Sequence, residues 1–199
     1  MIYYYINNMN TQKERKIYGG YNLELLTKKV FLSVNQVGQN IKNNLEQNIS
    51  NKIEGKCTEN GYIKPNSVRV LNYSAGLVNN EKVEFQTTFE CNVCYPVEGM
   101  LMECYTKTIT KAGVHAVVKD EDGNNPVTIF ISRDHHFTNK TFSNIKENDK
   151  IIVSIIGIRF ELNDPYICAI GKLVEKNGGE NEYEKKDIKP VITILSDNE

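Results

Sequence analysis

Residues 85–99 constrain the fold of this chain more than any other stretch. From Phe85 to Cys91 every second residue is Phe, Thr or Cys, and the residues between them are Gln, Thr and Glu. This period of two is typical of a strand with one buried and one wetter face. Pro96 cannot donate a hydrogen bond within a sheet and Gly99 is permissive, so the strand should end or bend there. We interpret residues 85–99 as the junction between a small α+β domain and a β-barrel.

Composition predicts a globular protein with no membrane partner. Hydrophobic residues make up 40% of the chain and charged residues 25%, which is enough for a buried core. No apolar run approaches the roughly 18 residues of a membrane span, and the apolar start at residues 1–6 lacks the basic residues of a signal peptide. We expect an intracellular protein. The excess of 20 Lys over 4 Arg is typical of an A/T-rich genome, such as that of a large DNA virus. A cellular protein would then be nuclear, and a viral one would lie in the host cytoplasm or the virion.

Charge is balanced overall but unevenly distributed. The net charge of −1 excludes a bulk polyanion binder. Residues 1–64 carry nine Lys or Arg against five Asp or Glu, whereas residues 175–199 carry four against seven. The basic N-terminal part and the acidic C-terminal tail therefore suggest different binding partners for the two ends.

The five cysteines predict reduced thiols and no metal centre. An odd number of cysteines without a secretion signal is typical of an intracellular protein. Cys91 and Cys94 have the C-x-x-C spacing, but residues three apart on a strand point to opposite faces. A second such pair is also missing, so core positions are favoured over a zinc site.

The first half of the chain has the signals of a small α+β unit. Residues 23–34 alternate as a strand, and residues 39–53 carry an isoleucine and leucine stripe at every fourth position, which indicates a helix. Short strands should follow at residues 52–58, 61–64, 68–73 and 82–95, separated by Asn-, Gly- and Pro-containing turns. Residues 1–20 are predicted to be an extension, with a candidate edge strand at residues 3–6.

The second half has strand signals alone. We predict strands at residues 100–110, 114–119, 127–132, 150–162 and 166–174, with a longer connection and a helical turn at residues 135–148. Five strands with a long link between the third and fourth fit an OB-fold barrel. The acidic turn at residues 120–122 lacks the spacing of a calcium loop and is interpreted as a solvated hairpin.

Catalytic motifs are missing from the sequence. It contains no phosphate-binding loop, no nucleophile elbow and no H-E-x-x-H pair. His135 and His136 are neighbours that would diverge on an extended chain, so we interpret them as an exposed loop pair. A small hydrolase using one of them is a further reading, but nothing in the sequence provides its nucleophile.

Nucleic-acid binding is better supported. OB barrels use planar side chains on their second and third strands as stacking platforms, and His115 and Phe130 lie on those strands. The alternative for Phe130 is a core position, because Ile129 and Ile131 flank it. Residues 99–174 carry nine basic and nine acidic residues, so binding should be weak unless the charges are segregated. The cations that could surround the platform are Lys107, Lys111, Arg133 and His135.

Three segments of the barrel half resemble a known RNA-binding family. MLME at residues 100–103, TKAGVHAV at residues 110–117 and VTIFIS at residues 127–132 resemble the OB-fold repeated in the largest protein of the bacterial small ribosomal subunit. His115 stands at that motif's aromatic position. Phe130 stands where its third strand has a histidine.

Segments in the first half of the chain resemble a more specific family. KIEGKC at residues 52–57 with GYI at residues 61–63, and VEF with FECNVCYPVEG at residues 83–99, resemble segments of the seventh-subunit family of multisubunit RNA polymerases. Tyr95 and Glu98 stand where that family has basic residues. The resemblance covers residues 20–174.

The resemblance implies a non-catalytic stalk subunit of a DNA-dependent RNA polymerase, without cofactor or metal. Residues 21–98 would form an α+β tip domain that docks on the polymerase core, and residues 99–174 an OB domain that faces nascent single-stranded RNA. A fourth-subunit-like protein would complete the stalk and cover apolar surface near the junction. Residues 1–20 would be an extension and residues 175–199 an acidic tail. The implied docking residues are Gly55, Gly61, Tyr62 and Ile63. The alternative function is a free-standing OB-fold RNA-binding protein in translation or RNA decay.

Overall fold

The computed structural model describes residues 17–18, 20–136 and 140–174. The strand predicted at residues 3–6 and the acidic tail at residues 175–199 lie outside these ranges. Most of the described chain is β-structure, with few helices. In chain order the elements are β1 (Ile17–Tyr18), β2 (Asn22–Ser33), α1 (Ile41–Ile53), β3 (Cys57–Thr58), β4 (Gly61–Ile63), β5 (Arg69–Tyr73), β6 (Leu77–Asn79), β7 (Lys82–Cys94), β8 (Leu101–Ile109), β9 (Gly113–Val118), β10 (Val127–Ser132), α2 (Lys140–Ser143), β11 (Lys150–Arg159) and β12 (Ile167–Leu173).

The first sheet is built around β7. Strand β2 pairs with one edge of β7 from Asn22, opposite Val93, to Ser33, opposite Lys82. Along the other edge β6, β5 and β4 follow one another, and β3 pairs with β4. Helix α1 covers the buried face of this sheet, as its apolar stripe predicts. The buried residues of this first core are Val30, Leu32, Leu45, Ile49, Ile63, Val68, Val70, Val83, Phe85, Phe89, Cys91 and Val93.

Strands β8 to β12 close into a five-stranded barrel. Their order around it is β8, β9, β10, β12, β11 and back to β8. Neighbouring strands are antiparallel except β10 and β12, which run parallel. The closed barrel is consistent with the predicted OB-fold. Its interior includes Met102, Cys104, Val114, Ala116, Val127, Ile129, Ile131, Val153, Ile155, Ile167 and Ala169.

Strand β7 passes from the first core to the barrel core. Cys91 is buried in the first, whereas Cys94 is buried with the barrel residues. Their divergence follows from the alternation of a strand, in which residues three apart face opposite sides. Burial raises the pKa of the Cys94 thiol to about 12. The chain between residues 85 and 99 is therefore the physical link between the two cores.

Strand positions agree with the sequence predictions more closely than the details between them. The strand at residues 127–132 is confirmed residue for residue, and the other barrel strands are confirmed to within three residues at each end. The strand predicted at residues 52–58 is wrong over most of its length, because α1 continues to Ile53 and only Cys57–Thr58 forms a strand. Glu54 ends the helix, and its carboxylate accepts N–H bonds from residues 66–68 at 2.9–3.0 Å.

Two strands lie where none was predicted. Strand β6 is short and exposed, and it extends the hairpin that leads into β7. Strand β1 pairs in parallel with Leu101 and Met102 of β8. The predicted extension at residues 1–20 thus contributes to the barrel sheet through Ile17 and Tyr18.

Candidate nucleic-acid interface and the junction

His115 and Phe130 form a ring pair on the outside of the barrel. They are directly opposite each other on β9 and β10. Their ring centroids are 4.9 Å apart and their planes are inclined at 45°. His115 is exposed and Phe130 half-buried. Ile129 and Ile131 point into the barrel and are fully buried, so strand alternation directs Phe130 outward. Phe130 is therefore not a core residue.

The four predicted cations differ in how freely they can bind a ligand. Lys107 and Lys111 are exposed, at the end of β8 and in the turn after it, and His135 is exposed in the turn after β10. Arg133 is half-buried and already bonded: its Nε donates to the carbonyl of Lys111 at 3.0 Å and its Nη2 to that of Thr110 at 3.1 Å. Arg133 thus fixes the β8–β9 turn beside the ring pair.

Three strands of the barrel carry no acidic side chain, although exposed Asp134 lies between Arg133 and His135 in the turn after β10. Strands β9, β10 and β12 contain no Asp or Glu. The described barrel carboxylates lie on β8 or in turns, and several are paired, as Glu103 is with Lys150 at 2.9 Å and Glu161 with Arg159 at 3.3 Å. A phosphate backbone lying on these three strands would therefore meet no carboxylate from them.

The predicted docking residues lie at the junction, and three of them, Gly61, Tyr62 and Ile63, are buried. Tyr62 is 4% exposed and Ile63 is fully buried. Gly55 is half-buried. Gly61 has a φ of +119°, and a Cβ there would lie 2.5 Å from the carbonyl oxygen of Cys94, so only glycine fits. Docking through this segment stays a prediction, and Tyr62 and Ile63 could serve it only by shaping the segment from within.

A polar network that the sequence did not predict joins the two units. The hydroxyl of Tyr21 donates to Asp120 at 3.1 Å, and Lys64 forms an ion pair with Asp122 at 2.8 Å. The Lys64 ammonium also lies 5.5 Å from the centre of the Tyr21 ring. The turn at residues 120–122 was predicted to be a solvated hairpin. That prediction is wrong for Asp120, which is half-buried and bonded across the junction.

Opposing effects act on the ionisation of Asp120. Burial by itself would raise the pKa of this carboxyl, but hydrogen bonds from Asn124 and Tyr21, with the charge of Lys64, hold it below its ordinary value. Burial and the neighbouring Asp120 charge raise the pKa of Tyr21. The pair is therefore a neutral phenol donating to a carboxylate over the whole neutral range.

Backbone bonds complete the junction. The N–H of Cys57 donates to the carbonyl of Asp164 at 2.8 Å, and the N–H of Asn163 donates to the carbonyl of Cys57 at 2.8 Å. The β11–β12 turn of the barrel is thereby tied to β3.

Apolar side chains remain exposed beside these bonds. Tyr95 packs edge-on against Phe160 with ring centroids 5.9 Å apart, yet it is 43% exposed. Leu162 in the β11–β12 turn is 69% exposed, and Val97 and Tyr166 are also exposed. We call Tyr95, Val97, Leu162 and Tyr166 the junction patch. It agrees with the exposed apolar surface that was predicted near the junction.

His136 is buried, contrary to the predicted exposed pair. It is 5% exposed. Its Nδ1 lies 2.8 Å from the carbonyl oxygen of Ser132, and its Nε2 accepts the N–H of Leu173 at 3.1 Å. Its ring stacks on Phe142 at 4.7 Å. Because Nε2 accepts, Nδ1 carries the proton and donates to Ser132. Both nitrogens are therefore occupied in holding the fold, and neither is available as a catalytic base.

Other site types are not seen in the part of the chain that is described. There, no three His, Cys, Asp or Glu side chains are grouped as a metal site requires. None of the helices within the described ranges has the length and apolar character needed to cross a membrane.

Together these features define a class: a two-core β-protein whose closed barrel presents an aromatic, acid-free outer face. Comparison with known sequences adds a particular relative. A curated protein of Acanthamoeba polyphaga mimivirus is 29% identical over 167 residues, which cover 75% of this chain and 80% of that protein. Its printed name is "Putative DNA-directed RNA polymerase subunit". This similarity supports the resemblance to RNA polymerase subunits, and the relative belongs to a virus. No protein-family model matches the chain.

The Tyr21 hydroxyl predicts a pH-dependent stability difference. Tyr21→Phe keeps the ring and removes the donor to Asp120, so near pH 7 we expect a loss of about 1 kcal/mol in the free energy of unfolding. A carboxyl with a lowered folded-state pKa stabilises above its unfolded pKa of about 3.9, and that contribution is lost as pH falls through the folded value. Urea unfolding should show a constant difference between wild type and variant from pH 5 to 8 that shrinks as the pH falls below the unfolded pKa of about 3.9. A difference that persists undiminished in acid would contradict the charged bond.

The two neighbouring histidines should differ sharply in their effect on stability. His136→Ala leaves the Leu173 N–H and the Ser132 carbonyl unpaired and removes the stack on Phe142, so we expect a loss of about 2–4 kcal/mol. His135→Ala is the matched control and should change stability by about 0.5 kcal/mol or less. Urea or thermal unfolding of the two variants measures both changes in stability. Equal effects of the two substitutions would be inconsistent with the buried position of His136.

Proposed function

We propose that this chain is a non-catalytic stalk subunit of a viral DNA-directed RNA polymerase. In this role it docks on the core enzyme, pairs with a second, fourth-subunit-like protein and contacts nascent single-stranded RNA during transcription. The observation that carries the proposal is the mimivirus relative, whose alignment covers most of both chains. The closed barrel and the order of the matching segments agree with it.

Domain assignments follow from the same proposal. Residues 21–98 would be the α+β tip domain and residues 99–174 the RNA-facing OB domain. The separate cores of the two units support this division. The polar network around Tyr21 and Lys64 would hold the units in a fixed relation, so that docking of one positions the other.

The RNA contact is proposed for the face around His115 and Phe130. An inclined ring pair 4.9 Å apart offers base-sized flat surfaces on adjacent strands. Lys107, Lys111 and His135 are exposed around it, and the strands beneath it carry no carboxylate. Because few cations are concentrated there, binding should be weak, sequence-tolerant and only shallowly dependent on salt.

The partner contact is proposed for the junction patch. Exposed aromatic and aliphatic residues beside a polar network are typical of a protein interface with an apolar centre and a polar rim. The patch draws Tyr95 and Val97 from the end of β7 and Leu162 and Tyr166 from the barrel. A partner seated there would contact both units at once.

Stacking on the ring pair can be tested by RNA crosslinking of the full-length chain. His115→Ala with Phe130→Ala should reduce crosslinking to labelled oligouridine by at least tenfold, since each stacked base contributes about 1–3 kcal/mol. Phe31→Ala, an exposed aromatic of the first sheet, is the matched control and should not change it. Because Phe130 is only half-buried, its single substitution should cost less than the roughly 3–5 kcal/mol of a core Phe. Unchanged crosslinking in the double variant would remove these residues from the proposed site.

Assembly can be tested by affinity purification from infected or co-expressing cells. The tagged chain should retain the large polymerase subunits and a second small subunit, whereas an RNA-decay factor would not. Leu162→Asp should weaken capture of the small subunit by about tenfold or more, because a charge at the centre of an apolar interface is costly. Leu77→Asp has the same 69% exposure on the first sheet and should leave that capture intact. Purification without any polymerase subunit would contradict the stalk proposal and favour the free-standing RNA-binding protein.

A further inference from the structure

The exposed row that begins with the His115 and Phe130 rings continues beyond Phe130 with an apolar side chain. Strand β12 runs parallel to β10, and Ile170 is directly opposite Phe130. Ile170 is 51% exposed although it lies within a barrel strand. Because neighbouring strands are about 4.8 Å apart, His115, Phe130 and Ile170 form a row about 10 Å long across the barrel.

The next position in this row is left open by a glycine. Gly157 of β11 is opposite Ile170, and a Cβ built there would meet nothing within 4 Å. The register of β11 shifts between Ile155 and Gly157, which places Ile156 in a bulge, 45% exposed. The surface beyond Ile170 is therefore accessible, because Gly157 has no side chain that could block a ligand from extending past Ile170.

The electrostatic setting of β12 matches that of the ring pair. Its exposed side chains, Cys168, Ile170 and Lys172, include one cation and no anion. Lys172 is two residues from Ile170 and so lies on the same face. In such an arrangement the apolar side chain can contact the face of a base while the cation contacts the neighbouring phosphate.

We propose that single-stranded RNA crosses three strands of the barrel, with Ile170 as a third base contact beyond His115 and Phe130, and Lys172 as a phosphate contact. This inference rests on the proposed RNA contact and extends it from β9 and β10 to β12. The chemistry recognised is a base face followed by a phosphate, without selection among bases. An apolar protein segment is the other ligand that an exposed isoleucine could attract, and the test separates the two by charge.

The test is a charge pair at position 170 in the full-length chain, measured by fluorescence anisotropy with labelled oligouridine. Ile170→Glu places a carboxylate on the acid-free row and should weaken binding by about tenfold. Ile170→Lys should bind as well as wild type or more tightly, because the lost apolar contact is offset by attraction to phosphate. Leu77→Glu, on the first sheet, is the matched control and should not change the affinity. Lys172→Gln should weaken binding about two- to fivefold and lower the salt slope by about one.

The native cysteine provides a second measurement that is made on the wild-type chain. Among the five cysteines only Cys168 is exposed, so thiol reagents modify this one position of the folded chain. A negatively charged methanethiosulfonate should weaken oligouridine binding, and a positively charged one should preserve or strengthen it. Cys168→Ser treated with either reagent is the control and should not respond.

The results that would overturn the inference differ from the results that would overturn the proposed RNA contact. If the His115 and Phe130 double variant loses binding but the Ile170 pair and the Cys168 reagents have no effect, the extension to β12 is overturned and the RNA contact stands. If Glu and Lys at position 170 weaken binding equally, the site is an apolar protein contact and the inference is likewise overturned. If wild type does not bind oligouridine at all, both the inference and the proposed RNA contact are wrong.

Discussion

Strand β7 is the structural element on which the rest of the molecule depends. It pairs with four other strands of the first sheet, its buried face completes the core beneath α1, and its last residues enter the barrel core. Each neighbouring element therefore takes its position from one continuous strand. Gly61 fits against the carbonyl of Cys94 only because it lacks a side chain, so the end of β7 also determines where β3 and β4 lie. A shared strand, with the Tyr21 and Lys64 network beside it, explains how two small cores can act as one body.

Two surfaces of different chemical character bear on the proposed role. In the proposed role the chain would bind protein with one surface and RNA with another. Here the junction patch is apolar, whereas the outer face of β9, β10 and β12 is aromatic and free of carboxylates. The nearly zero net charge of the chain conceals this difference in chemical character. Electrostatic attraction to RNA can therefore be local even though the chain as a whole is not basic.

Local patterns predicted the elements well and their contacts poorly. The alternation at residues 85–91 predicted β7, and the isoleucine stripe predicted α1. Both predictions succeeded because the period of the hydrophobic residues can be read within a single segment. The outward direction of Phe130 could not be chosen from an apolar triplet alone, since register decides which residue faces the core. His136, Asp120 and Tyr21 were misjudged or missed because their partners are 37 to 99 residues away. Tyr62 was assigned to a docking surface from a family pattern, and burial by the barrel became visible only in three dimensions.

Hydrogen exchange of the full-length chain tests the central claim, that one strand couples the two cores, most directly. Val93→Ala removes buried volume from the first core only, and the account predicts that it lowers protection in β7 and also in barrel strands β8 and β12. The slowest amides of both units should then exchange with similar free energies of opening, as expected for a single cooperative unit. Loss of protection confined to the first sheet, with the barrel unchanged, would contradict the shared-strand account and would make the two units independent.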